Sequence, residues 1–78
     1  MRLFLELSKP QTEEEIDQGV PPQELRYEVS SEEEGLQLLK QLAQIMDLTG
    51  WTARFHYCYH DEGKPCVVKP INLEEVLK

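Results

Sequence analysis

Hydrophobic and polar residues alternate along three stretches of the chain, and a spacing of two is typical of strands with one buried face. Arg2–Ser8 places three leucines on one side, and Glu24–Ser30 repeats the pattern with leucine, tyrosine and valine. The third alternation covers residues 51–60, and we expect its aromatic face to pack on a helix. That face carries Trp51, Ala53, Phe55, Tyr57 and Tyr59, and the opposite face carries Thr52, Arg54, His56, Cys58 and His60.

Two segments contain a hydroxyl residue followed by three glutamates. This is a capping box, in which the hydroxyl and the third glutamate satisfy N–H groups at the start of a helix. The first segment, at Thr12, predicts a short helix over Glu13–Gln18 that Gly19 ends. Its expected apolar anchors are Ile16 and Val20. If this helix does not form, the region is a mobile loop long enough to bind a partner.

Ser31 begins the second segment and the main helix, which we expect over Glu32–Leu48 with Gly50 as its stop. Gly35 lies in the first turn, where glycine costs up to ~1 kcal/mol relative to alanine. We therefore expect a close backbone contact at this position. The apolar stripe that should face the sheet comprises Leu38, Leu39, Leu42, Ile45 and Met46.

Residues 61–63 (Asp-Glu-Gly) follow the third strand and predict a β-hairpin with a bulged three-residue turn, because glycine suits the left-handed position of that turn. In this register Cys58 lies opposite Cys66. A loop of two or four residues would instead place Tyr59 opposite Cys66 and move Cys66 to the aromatic face.

The last strand lies between Pro65 and Pro70, which cannot donate ladder hydrogen bonds, so we expect it at an edge of the sheet. Asn72 then caps a short helix over Leu73–Leu77. The whole pattern predicts a single α+β domain over residues 1–78. Its expected form is a small, mostly antiparallel sheet of about four strands with one main helix packed on one face.

Composition limits the classes of function. The chain has 78 residues, of which 40% are hydrophobic and 29% charged, as in an ordinary globular domain. Its net charge of -7 disfavours direct binding of nucleic acid, which is also anionic. No apolar run approaches the ~20 residues that span a bilayer, so we expect no membrane association and a cytoplasmic location.

Both cysteines and both histidines lie in the hairpin, and thiolate and imidazole are ligands that zinc prefers. In the bulged register, one ion would bind Cys58, His60 and Cys66, with Asp61 or water as the fourth ligand. His56 is then a spare, because it lies about 13 Å from His60 along an extended strand. Surface histidines beside two reduced thiols are the favoured interpretation for a cytosolic protein, and a disulfide between the two cysteines is a further alternative.

Two surfaces are candidates for an interaction: the open face of the sheet and the acidic helix starts, although glutamates also belong at helix starts for capping reasons.

A nucleophilic Cys58 would lack an orienting acid, so we expect no enzyme and no cofactor. The leading hypothesis is a non-enzymatic module that binds a protein partner or a second copy through its open sheet face or edge strand. A zinc- or redox-responsive domain is the alternative, and an acidic inhibitor of a nucleic-acid-binding site is a weaker one. The candidate interaction residues are Phe4, Arg26, Arg54, His56, Glu32, Glu33 and Glu34.

Overall fold

The computed structural model describes residues 1–78 and confirms the predicted α+β fold. In chain order the elements are β1 (Arg2–Lys9), α1 (Glu13–Asp17), β2 (Gln23–Val29), α2 (Glu32–Ile45), β3 (Thr52–Cys58), a 3₁₀ turn (His60–Glu62), β4 (Val67–Ile71) and α3 (Leu73–Val76). The four strands form one antiparallel sheet in the order β2-β1-β3-β4.

The first strand is at the centre of this sheet, a position that alternation alone does not predict. β1 pairs antiparallel with β2 on one side and with β3 on the other, so β2 and β3 run parallel to each other. Strands that run parallel need a crossover connection. Helix α2 is that crossover, and its apolar residues pack on one face of the sheet.

The hydrophobic core lies between α2 and the sheet. Leu5 of β1 is fully buried between Tyr27 of β2 and Phe55 of β3, and Leu39 of α2 is fully buried as well. Trp51, immediately before β3, is buried, as expected for the aromatic face. Each fully buried side chain of this size contributes roughly 1.5–3 kcal/mol. The buried cluster comprises Leu3, Leu5, Leu7, Val29, Leu39, Leu42, Leu48, Trp51, Ala53 and Phe55.

Gly35 lies close against Phe55 of the sheet, which confirms the predicted close contact. A Cβ atom added there would lie 2.5 Å from Cε1 of Phe55 and 3.1 Å from its Cζ. Real Cβ atoms essentially never come so close, so only glycine fits without movement of the ring. The intrinsic cost of glycine in a helix is thus offset by better packing of Phe55.

The C-terminal end of α2 differs from the prediction. The helix ends at Ile45 instead of Leu48, because Met46 is extended, with φ -147° and ψ 152°. Ile45 was expected in the buried stripe but is 80% exposed. At 100° per residue it lies about 90° from the midpoint of the buried Leu39 and Leu42, at the side of the helix. Leu48 is buried from the connection to β3, and Gly50 takes a left-handed φ of 82° there.

Helix α1 forms where the capping box predicts it, with the Thr12 hydroxyl accepting a hydrogen bond from the Glu15 N–H at 3.1 Å. The expected anchoring is wrong, because Ile16 is 57% exposed and Val20 is also exposed. The segment is held instead by polar contacts, among them a hydrogen bond from the Gln11 side chain to the Val20 carbonyl. An exposed helix of five residues depends on its cap rather than on burial.

The β3–β4 hairpin has the predicted register, with Tyr57 opposite Val67 and His56 opposite Val68. Continued by one pair, this register places Cys58 opposite Cys66. The connection is longer than the predicted three residues, because the ladder stops at residues 57 and 67 and a 3₁₀ turn fills the tip. Gly63 is left-handed, with φ 69°, as the turn chemistry predicts.

The two remaining predictions for this end of the chain are confirmed. β4 is at the edge of the sheet, with Pro70 in the strand. Asn72 caps α3, its side-chain oxygen accepting hydrogen bonds from the N–H groups of Glu74 and Glu75. None of the helices has the length and hydropathy needed to cross a membrane.

Candidate metal centre

The face of the sheet opposite α2, here called the open face, carries a cluster of charges centred on Glu6. Its carboxylate is 2.8 Å from Nε of Arg54 and 3.3 Å from Nε of Arg26, the cross-strand neighbours on either side. Nδ1 of His56 is 2.9 Å from the same carboxylate. Partial burial opposes ionisation and raises the pKa of Glu6, but hydrogen bonds from His56 and Arg54 outweigh it, so the net pKa is lowered.

Because Glu6 is ionised, its oxygens only accept hydrogen bonds, and Nδ1 of His56 is therefore the protonated nitrogen. The other ring nitrogen, Nε2, is buried and has no hydrogen-bond partner. Buried polar atoms are nearly always paired, so an unpaired one points to a missing partner. In the neutral imidazole this atom carries a lone pair that a metal ion can accept.

Phe4, the aromatic residue of the open face, is not an exposed apolar patch. It is only 7% exposed, because the guanidinium of Arg26 lies 4.0 Å from its ring centroid and that of Arg2 lies 5.0 Å away. The His56 ring lies beside it at a centroid distance of 6.1 Å. Cations over an aromatic ring are attracted by its quadrupole, so the ring is covered by charge. Four predicted interaction residues, Phe4, Arg26, Arg54 and His56, thus form one polar cluster.

The other predicted interaction residues lie apart from this cluster, at the start of α2. The Ser31 hydroxyl accepts from the Glu34 N–H at 3.1 Å, so the acidic run is a helix cap. Glu32 pairs with Lys69 at 2.9 Å, and the Ser30 hydroxyl donates to Glu34. Glu33 is exposed in the first turn of the helix.

A second cluster lies where the strands of the hairpin end, and it contains the three predicted metal ligands. Nδ1 of His60 lies 3.1 Å from Sγ of Cys58 and 3.8 Å from Sγ of Cys66, and its Nε2 lies 3.3 Å from Sγ of Cys66. Both cysteines are free thiols and half-buried. His60 reaches both sulfurs because Tyr59, with φ -114° and ψ 18°, leaves the strand conformation and turns the chain back.

His56 belongs to this second cluster as well, although extended-strand spacing predicts it as a spare. One of its ring nitrogens and the two sulfurs of Cys58 and Cys66 all lie within 4.8 Å of one another. Sequence spacing does not identify it, because His56 and His60 are equally distant from Cys58 along an ideal strand. The signal that identifies His56 is three-dimensional, namely its contact with Glu6 and its unpaired Nε2.

This arrangement offers two sulfur and two imidazole donors, and three chemistries are open to it. Thiolates and imidazoles bind zinc, usually four at a time. The two sulfurs lie within 4.8 Å of each other, so a disulfide needs only a small movement. A thiol in contact with an imidazole can also serve as a nucleophile. Asp61, expected as a fourth ligand, lies in the exposed 3₁₀ turn.

Comparison with protein families, curated proteins and solved structures gives no functional lead. No family model, no curated protein and no solved structure matches the chain. The two clusters on the open face are therefore the basis for inferring a function.

Proposed function

We propose that the chain is a small zinc-binding domain in which Cys58, His60 and Cys66 hold the ion at the end of the β3–β4 hairpin. The observation that supports this most is the approach of Nδ1 of His60 to the two sulfurs, at 3.1 and 3.8 Å. Zinc–ligand distances of ~2.3 Å to sulfur and ~2.0 Å to nitrogen put neighbouring donors of a tetrahedron about 3.5 Å apart. The three donors therefore need little movement to share one ion.

The donor types favour zinc over harder cations. Calcium and magnesium prefer carboxylate, carbonyl and water oxygens, whereas thiolates and imidazoles select zinc and copper(I). Zinc has no redox chemistry of its own, and a tetrahedral set of nitrogen and sulfur ligands is its usual structural site. A zinc-responsive domain without catalytic activity is the function that this chemistry supports best.

The place of the cluster suggests what the ion would do. β4 has only five residues and carries Pro70, so its pairing with β3 is short. An ion bound by Cys58 and Cys66 would join the end of β3 to the segment that enters β4. Since a preformed site is absent from the unfolded chain, the free energy of binding would stabilise the folded state. Such a gain matters most in a domain of this size.

Native mass spectrometry of protein purified without chelator, followed by denaturing mass and thiol counting, tests the proposal. We expect one zinc ion per chain, retained under gentle ionisation and lost in the variant Cys58→Ser. Lys64→Ala, in the same loop, is the matched control and should retain the ion. Thermal unfolding of the wild type should shift upward when zinc is restored after chelation.

Two results would contradict the proposal. A chain that remains metal-free with two titratable thiols after incubation with excess zinc has no such site. A mass lower by two hydrogen atoms and no free thiol would assign the cysteines to a disulfide. In that case the redox alternative would replace the zinc domain.

A second candidate function is binding of a protein strand, or of a second copy, along the outer edge of β4. It is favoured by the position of β4 at the edge of the sheet and by the exposure of Val67 and Val68, at 52% and 48%. Unpaired strand edges are templates for a further strand. The middle of the open face supports this less well, since arginines cover Phe4.

Light scattering over a range of protein concentrations tests self-association at this edge. A dimer that Val68→Lys dissociates and Gln37→Lys, on α2, leaves intact would support pairing through β4. A dimer that survives Val68→Lys would exclude this face of β4 as the contact.

A further inference from the structure

We infer that His56 is the fourth ligand of the proposed zinc site and that Glu6 is the positioning residue that orients it. This inference rests on the proposed zinc-binding function and deepens it. It replaces Asp61 or water, expected from the sequence, with an imidazole from β3. It also extends the site from the hairpin to the central strand β1.

The first observation is that the two nitrogens of His56 have different surroundings. Nδ1 is fixed by the Glu6 carboxylate at 2.9 Å, whereas Nε2 is buried and unpaired. The side chain is 19% exposed, so solvent does not readily satisfy that atom. A metal ion is the partner that suits a buried imidazole nitrogen whose ring already donates through the other one.

The second observation is the position of His56 relative to the sulfurs. A His56 nitrogen and both sulfurs lie within 4.8 Å of one another, and His56 and Cys58 project from the same face of β3. His56 is part of a paired strand, opposite Phe4 on one side and Val68 on the other. Its backbone is therefore fixed by two neighbours, whereas His60 lies in the 3₁₀ turn at the tip.

The third observation is the support behind Glu6. Arg54 and Arg26 approach its carboxylate at 2.8 and 3.3 Å, and only 15% of the Glu6 side chain is exposed. Metal-bound imidazoles almost always donate their second N–H to a carboxylate, a backbone carbonyl or water, which fixes the tautomer and raises the basicity of the ligand. Nδ1 of His56 already makes such a hydrogen bond to the Glu6 carboxylate, at 2.9 Å.

Four protein ligands define the kind of zinc site. With Cys58, Cys66, His56 and His60 bound, the tetrahedron is closed and holds no water or substrate. The ion then has a structural or sensing role and not a hydrolytic one. It also connects β3 and the β4 segment to β1 through Glu6, so loss of zinc should loosen the open face as well as the hairpin.

Zinc affinity measured by competition with a chromogenic chelator tests the inference, using Zn²⁺ added as the chloride. We expect Glu6→Gln to weaken binding by about 10–100-fold, as for other outer-sphere partners of zinc ligands. His56→Gln should weaken it more. Glu28→Gln is the matched control, since Glu28 is on the same face, pairs with Arg2 and should leave the affinity unchanged. Circular dichroism of each variant checks that it is folded.

A readout on the wild type makes the test independent of any variant. Long-range ¹H–¹⁵N spectra of the imidazoles should show His56 protonated at Nδ1 and its Nε2 resonance shifted when zinc is added. The cobalt(II)-substituted protein should show the absorption of a four-coordinate site.

The outcomes separate this inference from the proposed function. If Cys58→Ser abolishes binding while Glu6→Gln and His56→Gln bind zinc as the wild type does, the zinc domain stands and the role of His56 is wrong. An Nε2 resonance unmoved by zinc would have the same meaning. If the wild type binds no zinc, both proposals fall together.

Discussion

The two faces of the sheet are built from alternate residues of the same strands, yet they are held by different forces. Under α2, Leu3, Leu5 and Leu7 are buried against aromatic and aliphatic side chains. Phe4 and Glu6 alternate with these leucines in the sequence. They lie on the open face and are surrounded by arginines and a histidine. Buried apolar area provides most of the stability of a small domain, whereas exposed ion pairs contribute little each. The face under α2, here called the covered face, therefore maintains the fold, whereas the open face carries the candidate chemistry.

Removal of a leucine from the covered face should have the largest effect on stability. Leu5→Ala deletes a fully buried side chain at the centre of the sheet. We expect a loss of about 2–5 kcal/mol in the free energy of unfolding, because transfer and cavity costs add. A loss of that size is a large part of the stability of a domain this small. Urea denaturation at neutral pH measures it.

The control for Leu5→Ala is on the open face of the same strand. Arg2→Ala removes an exposed ion pair with Glu28 and one of the two cations over Phe4, and should cost much less than Leu5→Ala. If the two variants were equally destabilised, the assignment of stability to the covered face would be wrong.

The contact between Gly35 and Phe55 gives the next largest effect. Gly35→Ala improves helix propensity by about 1 kcal/mol but places a methyl group against a buried ring. Overpacking typically costs about 1–3 kcal/mol, so we expect a net loss of up to about 2 kcal/mol. Gln37→Ala, at an exposed position of the same helix, is the control and should be neutral or slightly stabilising. A stabilised Gly35→Ala would show that the ring moves freely.

The covered face could be predicted well from the sequence because each strand has one buried side. Alternation identifies the inward residues of β1, β2 and β3, and the hydroxyl–glutamate segments mark where α1 and α2 begin. Helix ends were less predictable, since Ile45 continues the periodicity although the chain has no partner to cover it. The hairpin register followed from Gly63, the residue that can adopt the left-handed turn.

The open face was much less predictable, because its contacts join residues that are distant in sequence. Because β1 lies between β2 and β3, Glu6 lies beside Arg26, Arg54 and His56. No local sequence pattern predicts this strand order. The position of His60 depends on a single break from strand geometry at Tyr59. Ideal spacing therefore predicts that the two cysteines lie close together but does not place His56 beside them.

The arginine over the Phe4 ring should contribute less to the free energy of unfolding than the buried contacts. Arg26 lies 4.0 Å from the ring centroid, and cation–π contacts at partly exposed sites contribute about 0.5–1 kcal/mol. A double-mutant cycle with Phe4→Leu and Arg26→Gln should give a coupling energy of that size, measured by urea denaturation. Pairing Phe4→Leu with Lys64→Ala, in the hairpin loop, should give none. Additive effects of Phe4→Leu and Arg26→Gln would mean that the guanidinium covers the ring without stabilising it.

The smallest expected effect concerns the ion pair between Glu28 and Arg2, whose two hydrogen bonds are 2.9 and 3.2 Å long. The hydrogen bond from Arg2 lowers the pKa of Glu28 in the folded state. A carboxyl group with a lowered folded pKa stabilises the protein above its unfolded value of about 4.3, and this contribution is lost as the pH falls through the folded pKa. Glu28→Gln should therefore be slightly less stable than the wild type near neutral pH and equal to it in strong acid.

Because both side chains are exposed, added salt should reduce the stability difference between Glu28→Gln and the wild type, while the effect of Leu5→Ala should remain. Urea denaturation in chelator at several pH values and two salt concentrations measures both, and a difference that grows in acid would reverse the sign assigned to this pair.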